Sequence, residues 1–320
     1  MLDSRKCWII FLLCTINAAY FYHKHRSGEL KFIGMALSNF EIPSIVCFSP
    51  AAIINPAKEL FNSTMIILFL CGAAHYLRRT INYLIEDRLL RLLYCEAVAS
   101  AELCGCCFEL IVVAEKFGVY AYLLYLFLLS IWWNLKWAEA TACPYTHLEE
   151  AVQGNQEIPE VLMKIWAELT AGVFVIRLMM FLSNSDLVDS YEGRAIEKCE
   201  ADLQVPLVTG AIIEAAGTFF CQLSGKIIQD LHLKKGQVVG PFIGTLAVAI
   251  AFNHTGGYYN PVLATCLKFG CKGNTIGEHL MVYWAGPCVG SLLSVLIYDR
   301  SPISNLLRKS KENMLESEPE

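Results

Sequence analysis

The sequence predicts an all-α membrane protein built as an inverted repeat, and three observations support this. The chain has 320 residues, of which 55% are hydrophobic and 17% charged, and its mean hydropathy is +0.45. That composition is too apolar for an ordinary soluble domain. Several stretches approach the length of about 20 apolar residues that crosses a bilayer. Finally, the second half of the chain repeats the first, which determines how the rest of the sequence is interpreted.

The duplication is visible as identical or related residues that lie 117 or 118 positions apart. The matched residues are Glu96 and Glu214, Trp166 and Trp284, and Gly172 and Gly290. Two proline-containing triplets follow the same spacing, namely Cys143-Pro144-Tyr145 and Asn260-Pro261-Val262. The two copies therefore run over about 90–182 and 206–300.

Each copy contains three apolar stretches. They fall at about 92–114, 119–137 and 159–182 in the first copy, and at about 206–228, 237–253 and 279–298 in the second. Because three is an odd number, the second copy must enter the membrane upside down relative to the first. We therefore predict six transmembrane helices, with the transport path on the pseudo-two-fold axis between the copies.

The distribution of charge predicts the orientation, because cytoplasmic loops carry an excess of Lys and Arg. The basic residues that would share one face are Arg78, Arg79, Arg88, Arg91, Lys234, Lys235, Arg300, Arg308, Lys309 and Lys311. The opposite face receives an acidic loop at 183–205, and the tail at 301–320 returns to the cytoplasm. The net charge of −5 is spread over loops and tail and indicates no nucleic-acid partner.

The N-terminal part precedes the repeats. We predict an extension of uncertain structure at 1–60, then an extra hydrophobic helix and basic linker at 61–89, with its apolar part at about 65–77. A second apolar run at about 7–22 is short for a span, and either an anchor or a signal sequence would explain it.

The two triplets can each start a short helix in the middle of the membrane. Asn is a strong N-cap, and Pro fits the first helical position because its missing N–H costs nothing there. Non-helical backbone at that depth is tolerated only beside protein or a water-lined cavity. Two half-helices entering from opposite faces would bring their positive ends together. Such a junction repels cations and protons and leaves donors for a neutral solute.

These features resemble the aquaporin (major intrinsic protein) family: two related triplets, each after the second span of a three-span repeat that opens on an intramembrane Glu. The imperfect first triplet, Leu263 and the Cys-rich run Cys104-Gly105-Cys106-Cys107 are similar to the unorthodox aquaporins eleven and twelve, particularly arthropod members. The resemblance covers about 90–300, and more weakly from about 62. It implies six spanning helices plus two re-entrant half-helices, one or two extra N-terminal segments, and a homotetramer. It also implies an intracellular membrane, the endoplasmic reticulum above all, although the residues themselves do not exclude the plasma membrane.

The resemblance assigns the pore motifs to Cys143, Pro144 and Tyr145 and to Asn260, Pro261 and Val262. Cys143 stands where the family has Asn, so a two-proton amide donor is exchanged for a weak thiol donor. Tyr145 and Val262 replace a small Ala, which alters packing where the half-helices meet. The triplet Asn55-Pro56-Ala57 has the family's letters but follows no matching Glu-bearing span, and we predict an ordinary turn and helix start there.

The resemblance also places a selectivity filter at Leu123, Val248, Gly257 and Leu263. Leu263 occupies the position of the family's usual Arg, so this filter is apolar and has no fixed cation. It would admit larger or less polar solutes than water, or it would close by dewetting. The sequence leaves both outcomes open.

Several ionisable and sulfur-containing residues remain. Glu96 and Glu214 are expected to hold the backbone of the pore loops; a proton relay is the alternative, although no His stands at helical spacing from either. We predict no metal at His254, which has no second ligand at suitable spacing, and no cofactor. The 14 Cys residues are read mainly as small hydrophobes. A disulfide between Cys266 and Cys271 is left open.

Small residues four positions apart permit close helix approach. Gly286 with Gly290 and Gly240 with Gly244 have this spacing, and both pairs are expected to pack inside one subunit.

The predicted function is a membrane channel for passive transport of water or small neutral solutes such as glycerol or hydrogen peroxide. No catalytic constellation points to an enzyme. A non-conducting scaffold or adhesion protein on the same fold is the alternative, favoured by the Cys143, Tyr145 and Val262 departures. An ion pore is a third reading, which the half-helix dipoles oppose.

Overall fold

The computed structural model describes residues 51–183, 199–231 and 235–300, with side chains from residue 58 onward. Within these residues the structure is helical, apart from an isolated bridge between Glu200 and Lys272. The helices are α1 (Ala51–Leu84), α2 (Arg88–Phe117), α3 (Val119–Lys136), α4 (Pro144–Val152), α5 (Ile158–Ser183), α6 (Leu207–Asp230), α7 (Gly236–Thr255), α8 (Pro261–Lys268), α9 (Ile276–Leu280) and α10 (Gly286–Arg300). A π-helical turn, Met281–Ala285, joins α9 to α10 into one continuous span.

Seven of the described helical segments are long and apolar enough to cross a membrane: α1, α2, α3, α5, α6, α7 and the joined α9–α10. The helices α4 and α8 have only nine and eight residues and are the two half-helices. The prediction of an all-helical fold with an inverted repeat, two half-helices and an extra N-terminal helix is therefore confirmed.

The spans are slightly longer than the hydropathy indicated because polar caps lie outside the apolar stretches. The helix α2 begins at Arg88, where the Asp87 carboxylate accepts a hydrogen bond of 2.7 Å from the Leu90 amide. The helix α9 begins with a capping box in which Thr275 and Glu278 bond each other's backbone.

Each repeat is held by close packing of its first and third spans, α2 with α5 and α6 with α10. Small residues allow the approach. A Cβ on Gly172 would lie 3.0 Å from the Cys104 sulfur, and a Cβ on Gly286 would lie 2.9 Å from the Ala211 carbonyl oxygen. Gly290 packs against the backbone of Ala215 in the same way.

The second glycine pair does not behave as predicted. A Cβ on Gly240 or Gly244 would meet nothing within 4 Å, so this pair lies on the outer surface of α7 and not in a contact within the subunit. The exposed Phe242 and Leu246 lie on the same helix.

The extra helix α1 packs against α2 and carries a buried charge. Arg78 Nη1 lies 2.6 Å from Glu102 Oε2, and both side chains are almost completely buried. Glu102 also accepts hydrogen bonds from the indole nitrogens of Trp132 (2.9 Å) and Trp137 (3.0 Å). The prediction that Arg78 belongs to a cytoplasmic basic cluster was wrong, because the guanidinium is a partner for an intramembrane carboxylate. The neighbouring Arg79 is exposed.

The structure also locates the N-terminal triplet. Asn55-Pro56-Ala57 lies inside α1 and not at the tip of a half-helix, and the predicted boundary at residue 60 falls inside the same helix. The apolar run at 7–22, most of the acidic loop at 184–198 and the tail at 301–320 lie outside the described residues.

Candidate functional site

The tips of the two half-helices are in direct contact. Asn260 caps α8: its Oδ1 accepts hydrogen bonds from the amides of Val262 (3.0 Å) and Leu263 (3.2 Å). Its Nδ2 donates to the carbonyl oxygen of Ala142 at 2.8 Å. Ala142 directly precedes Cys143, the N-cap of α4. The positive ends of α4 and α8 therefore face each other, as two half-helices entering from opposite sides require.

The residue before each N-cap has an uncommon backbone conformation. Ala142 has φ +51° and Tyr259 has φ +46°, which are left-handed values that cost a non-glycine residue about 1–3 kcal/mol. Surrounding contacts must hold such a residue in place. Pro144 and Pro261 then occupy the first helical positions.

In the first repeat, Glu96 holds this conformation. Both of its carboxylate oxygens accept a hydrogen bond from the Thr141 amide, at 3.1 Å for Oε1 and 3.0 Å for Oε2. Its Oε2 also accepts a hydrogen bond of 2.8 Å from the Ala142 amide. Glu96 is itself buried. The carboxylate thus satisfies two backbone donors that would otherwise lack a protein acceptor.

Glu214 does the same in the second repeat. It accepts from the Tyr258 amide at 3.2 Å and from the Tyr259 amide at 2.7 Å. The Thr255 hydroxyl donates a further hydrogen bond of 2.6 Å to the same carboxylate. The amides are 117 residues from their counterparts in the first repeat, so the pattern follows the duplication.

The first repeat adds a histidine that sequence spacing does not indicate. His147, on α4, has its Nε2 2.9 Å from Glu168 Oε1 and 3.6 Å from Glu96 Oε1. No His stands at helical spacing from either loop-holding glutamate, but His147 reaches Glu96 in space from another helix. Glu168, on α5, is fully buried.

The remaining motif residues surround the junction. Cys143 is buried and makes no side-chain capping hydrogen bond, unlike Asn260. Val262 is fully buried in the core, and Tyr145 is half-buried. One tip thus presents a fixed amide and the other a thiol.

A cavity of about 330 Å³ lies on the face that receives the loop before α6, which we call the outer face. Two predicted filter residues, Gly257 and Leu263, line it. Leu123 and Val248 are not part of this lining; Tyr122 and Phe252 are, with ring centroids 5.1 Å apart. The Val248 backbone packs behind Gly257, where a Cβ would approach its Cα to 3.1 Å.

The outer mouth is tied together by polar contacts and a disulfide. Asp202 accepts hydrogen bonds from the Tyr258 hydroxyl (2.5 Å) and the Lys268 ammonium (2.9 Å). Cys271 is bonded to Cys199, 72 residues away. The open question of a Cys266–Cys271 pair is thereby decided against: Cys266 is a free thiol.

A larger cavity of about 940 Å³ opens on the opposite, inner face. Its charged lining residues are Asp87, Glu96, Glu139, Glu150 and Glu160 with Arg88 and Lys164. Thr141 and His147 also line it. The inner cavity reaches one side of the junction between the half-helices, and the outer cavity reaches Leu263 on the other.

Curated proteins with related sequences agree with this architecture. Aquaporin-11 of Milnesium tardigradum is 25% identical over 261 residues, which cover 80% of this chain and 93% of that protein. Aquaporin-12 of Mus musculus is 29% identical over 63% of this chain and 72% of its own length, and putative aquaporin-12A of Homo sapiens is 31% identical over 58% and 63%. These relatives support the aquaporin family, in the branch of aquaporins eleven and twelve. This chain is a multi-pass membrane channel and not an enzyme.

Two other comparisons add little to the assignment as an aquaporin. No protein-family model matches this chain. The solved structure titled "X-ray structure of the aquaglyceroporin from Plasmodium falciparum" aligns with 80% of this chain and 98% of its own at 16% identity and a TM-score of 0.40, a likeness too weak to support an argument. The arthropod affinity stays a prediction.

Sequence reasoning missed four residues near the half-helix junction or the outer cavity: Tyr122, His147, Glu168 and Phe252. One signal was available, because an ionisable residue within an apolar span such as Glu168 is a functional candidate by default. His147 and the two aromatic residues carried no comparable signal in the sequence.

Proposed function

We propose that this aquaporin conducts water and small neutral solutes, including glycerol and hydrogen peroxide, down their gradients. The amide of Asn260 is the observation that supports this most strongly. One proton of its Nδ2 is used by the Ala142 carbonyl, and an amide nitrogen carries two. The second proton is left for a solute passing the junction.

The electrostatics of the junction favour neutral permeants. Each half-helix contributes about +0.5 of an elementary charge at its N-terminus. The two N-termini meet within hydrogen-bonding distance through Asn260 and Ala142. A cation would face both positive ends at once, so we expect no ion current.

The outer cavity favours solutes larger than water. Tyr122, Phe252 and Leu263 give it apolar walls, while the hydroxyl of Tyr258 and the carboxylate of Asp202 are polar groups at the same mouth. A polyol offers carbon to one wall and hydroxyls to the other. We assign the filter to Gly257 and Leu263 with Tyr122 and Phe252, and we place the predicted Leu123 and Val248 behind it.

Purified protein in liposomes tests the proposal. Light scattering after an osmotic step, with water, glycerol and peroxide tested in turn, should show permeabilities above those of empty vesicles. Asn260→Asp should lower all three fluxes, because it removes the amide donor and adds a charge. Asn253→Asp is the matched control, since Asn253 is exposed at the end of α7. If the wild-type permeabilities equal those of empty vesicles, the proposed transport is wrong and the alternative of a non-conducting scaffold is favoured.

We further propose a homotetramer that assembles through the exposed face of α7. The open positions Gly240 and Gly244 and the exposed Phe242 and Leu246 form an apolar surface with room for close helix approach. Native mass spectrometry in detergent should give four chains. Replacing Gly240 and Gly244 by Leu should reduce that assembly, and an unchanged tetramer would place the interface elsewhere.

For location we propose an intracellular membrane, the endoplasmic reticulum above all, with the inner face and its acidic cavity toward the cytoplasm. The resemblance to aquaporins eleven and twelve supports the location, and the basic residues support the orientation. A fluorescent fusion imaged with organelle markers checks the first, and protease protection of the 184–198 loop checks the second.

A further inference from the structure

We infer that Glu96, His147 and Glu168 bind one divalent cation of the zinc class at the inner side of the pore junction. The three residues come from α2, α4 and α5, so the ion would join the first half-helix to two spanning helices. All three side chains are buried. The ligand set is one imidazole nitrogen and two carboxylate oxygens, which zinc accepts with water as a fourth ligand.

The ligand atoms already stand close to the required arrangement. The His147 nitrogen is 2.9 Å from Glu168 Oε1 and 3.6 Å from Glu96 Oε1, and one atom from each of the three residues lies within 4.8 Å of the others. Around a tetrahedral zinc ion with bonds of about 2.0–2.1 Å, neighbouring ligand atoms are about 3.3 Å apart. Shifts of roughly an ångström or less in the side chains therefore complete the site.

The charge of this cluster is unbalanced. One imidazole stands between two carboxylates, and it cannot donate the same Nε2 proton to both. Two other buried carboxylates are matched by a full cation: Glu102 has Arg78 at 2.6 Å, and Glu149 has Lys226 at 2.7 Å. Glu214 is satisfied instead by two backbone amides and the Thr255 hydroxyl, and no second carboxylate competes for them.

Glu168 also has unused ligand capacity. Its Oε2 is buried and makes no hydrogen bond of ordinary geometry within the described part of the chain, although the Cys143 amide also acts on this carboxyl group. The charge of Lys164, one turn away, reaches Glu168 as well, but the Lys164 ammonium pairs directly with Glu160 at 2.9 Å. A divalent cation would supply the missing positive charge and a partner for this oxygen.

The inner cavity supplies a route to the site. Glu96 and His147 both line it, so an ion need not cross the apolar part of the pore. Five carboxylates and two basic side chains line the same cavity, which raises the local concentration of cations. Water in the cavity can fill the open coordination position.

The second repeat shows that the loop does not need this cluster for support. The positions equivalent to His147 and Glu168 are Ala264 and Gly286, 117 and 118 residues later. Glu214 holds its loop with the Thr255 hydroxyl and backbone amides instead. His147 and Glu168 therefore have no counterpart in the second repeat, which leaves their side chains available for a separate role.

The test uses the full-length protein in detergent, stripped of metal by a chelator and titrated with zinc chloride. The wild type should retain one zinc per chain after desalting, and X-ray absorption should show only nitrogen and oxygen neighbours. Glu168→Gln and His147→Gln each remove a ligand and should weaken binding by more than the 10–100-fold that losing an outer-shell partner costs. Glu115→Gln and His254→Gln, at exposed positions away from the inner cavity, are the matched controls and should bind as the wild type does.

Three results would overturn the assignment: no retained zinc, sulfur neighbours in the absorption spectrum, or equal affinity in both ligand variants and both controls. The spectrum is recorded on the wild type, so the test holds even if a variant does not fold. Zinc binding is measured without any flux, so its failure is distinct from failure of the proposed transport function.

Discussion

The two re-entrant loops of this aquaporin share a backbone but differ in the chemistry placed on it. Each has a left-handed residue before the cap, a proline at the first helical position, and an intramembrane glutamate that accepts two loop amides. The second loop ends in an amide that caps its helix, whereas the first ends in a thiol that does not. The inverted fold therefore fixes the carboxylate and the backbone, and it leaves the tip residue free to change.

The supports behind the loops differ as well. A neutral hydroxyl, Thr255, backs Glu214, whereas an ionisable pair, His147 and Glu168, backs Glu96. The second repeat thus supports its loop with a neutral side chain, and the first repeat supports its loop with side chains that can carry charge.

The substitution Glu214→Ala should cause the largest loss of stability, because it removes the support of the second loop. This change leaves the Tyr258 and Tyr259 amides without an acceptor and releases a left-handed residue. Hydrogen bonds to a charged group are worth about 1.5–3 kcal/mol each, so the loss should exceed about 3 kcal/mol. Thermal unfolding in detergent measures it. Glu115→Ala at an exposed position is the control, and equal melting of the two variants would mean that Glu214 does not hold the loop.

Gly217→Ala should have the next largest effect, because the added methyl collides with the ring of Tyr259. The first repeat has Ala99 at the equivalent position and the small Ala142 in place of Tyr259. We expect a loss of about 1–3 kcal/mol, as for other overpacked cores. The double variant with Tyr259→Ala copies the first repeat and should melt at a higher temperature than Gly217→Ala alone. A double variant that melts lower still would contradict the steric explanation.

Asn260→Cys would make the second tip like the first. It removes two capping hydrogen bonds and the bond to Ala142, at a cost of about 0.5–2 kcal/mol. Solute flux through liposomes should fall as well. The reverse change, Cys143→Asn, should raise water permeability because it adds an amide donor. If both changes move the flux in the same direction, tip donation does not control permeation.

Thr255→Val should have the smallest effect. It removes the hydroxyl that donates to Glu214 and accepts a long hydrogen bond of 3.3 Å from the Gly257 amide, and it leaves both loop amides bonded to the carboxylate. Loss of a buried hydrogen bond costs about 1–3 kcal/mol when one partner is left behind, and we expect the lower end because the carboxylate keeps its main partners. Differential melting against Thr170→Val, which removes an exposed hydroxyl, is the measurement. An effect as large as that of Glu214→Ala would assign the support of the loop to Thr255.

The duplication and the membrane spans could be predicted because hydropathy and residue spacing follow directly from the order of residues in the chain. Glu96, Glu214 and the two proline triplets followed from them. The partners that lie far apart in sequence did not. His147 meets Glu168 across 21 residues and two helices, and Cys271 is bonded to Cys199 across 72.

The predicted selectivity filter shows that sequence counting does not determine which side of a helix faces the cavity. Counting along the sequence led to Val248 and, separately, to Leu123, which lie four residues from Phe252 and one residue from Tyr122 in the lining of the outer cavity. A helix rotates about 100° per residue, so a difference of one position changes which side chain faces the cavity, and the predicted filter stays a prediction. The cytoplasmic assignment of Arg78 failed because a helix longer than its apolar stretch placed the guanidinium opposite Glu102.

The buried pair between Arg78 and Glu102 has a consequence for how the protein is made. Arg78 leaves the ribosome 24 residues before Glu102, and the hydrocarbon interior penalises either charge alone. Insertion of the two helices as a pair would avoid exposing either charge alone, and a truncated chain that begins after Leu84 would leave Glu102 with only the indole donors of Trp132 and Trp137. We therefore expect removal of the additional helix to impair membrane insertion of the rest of the chain.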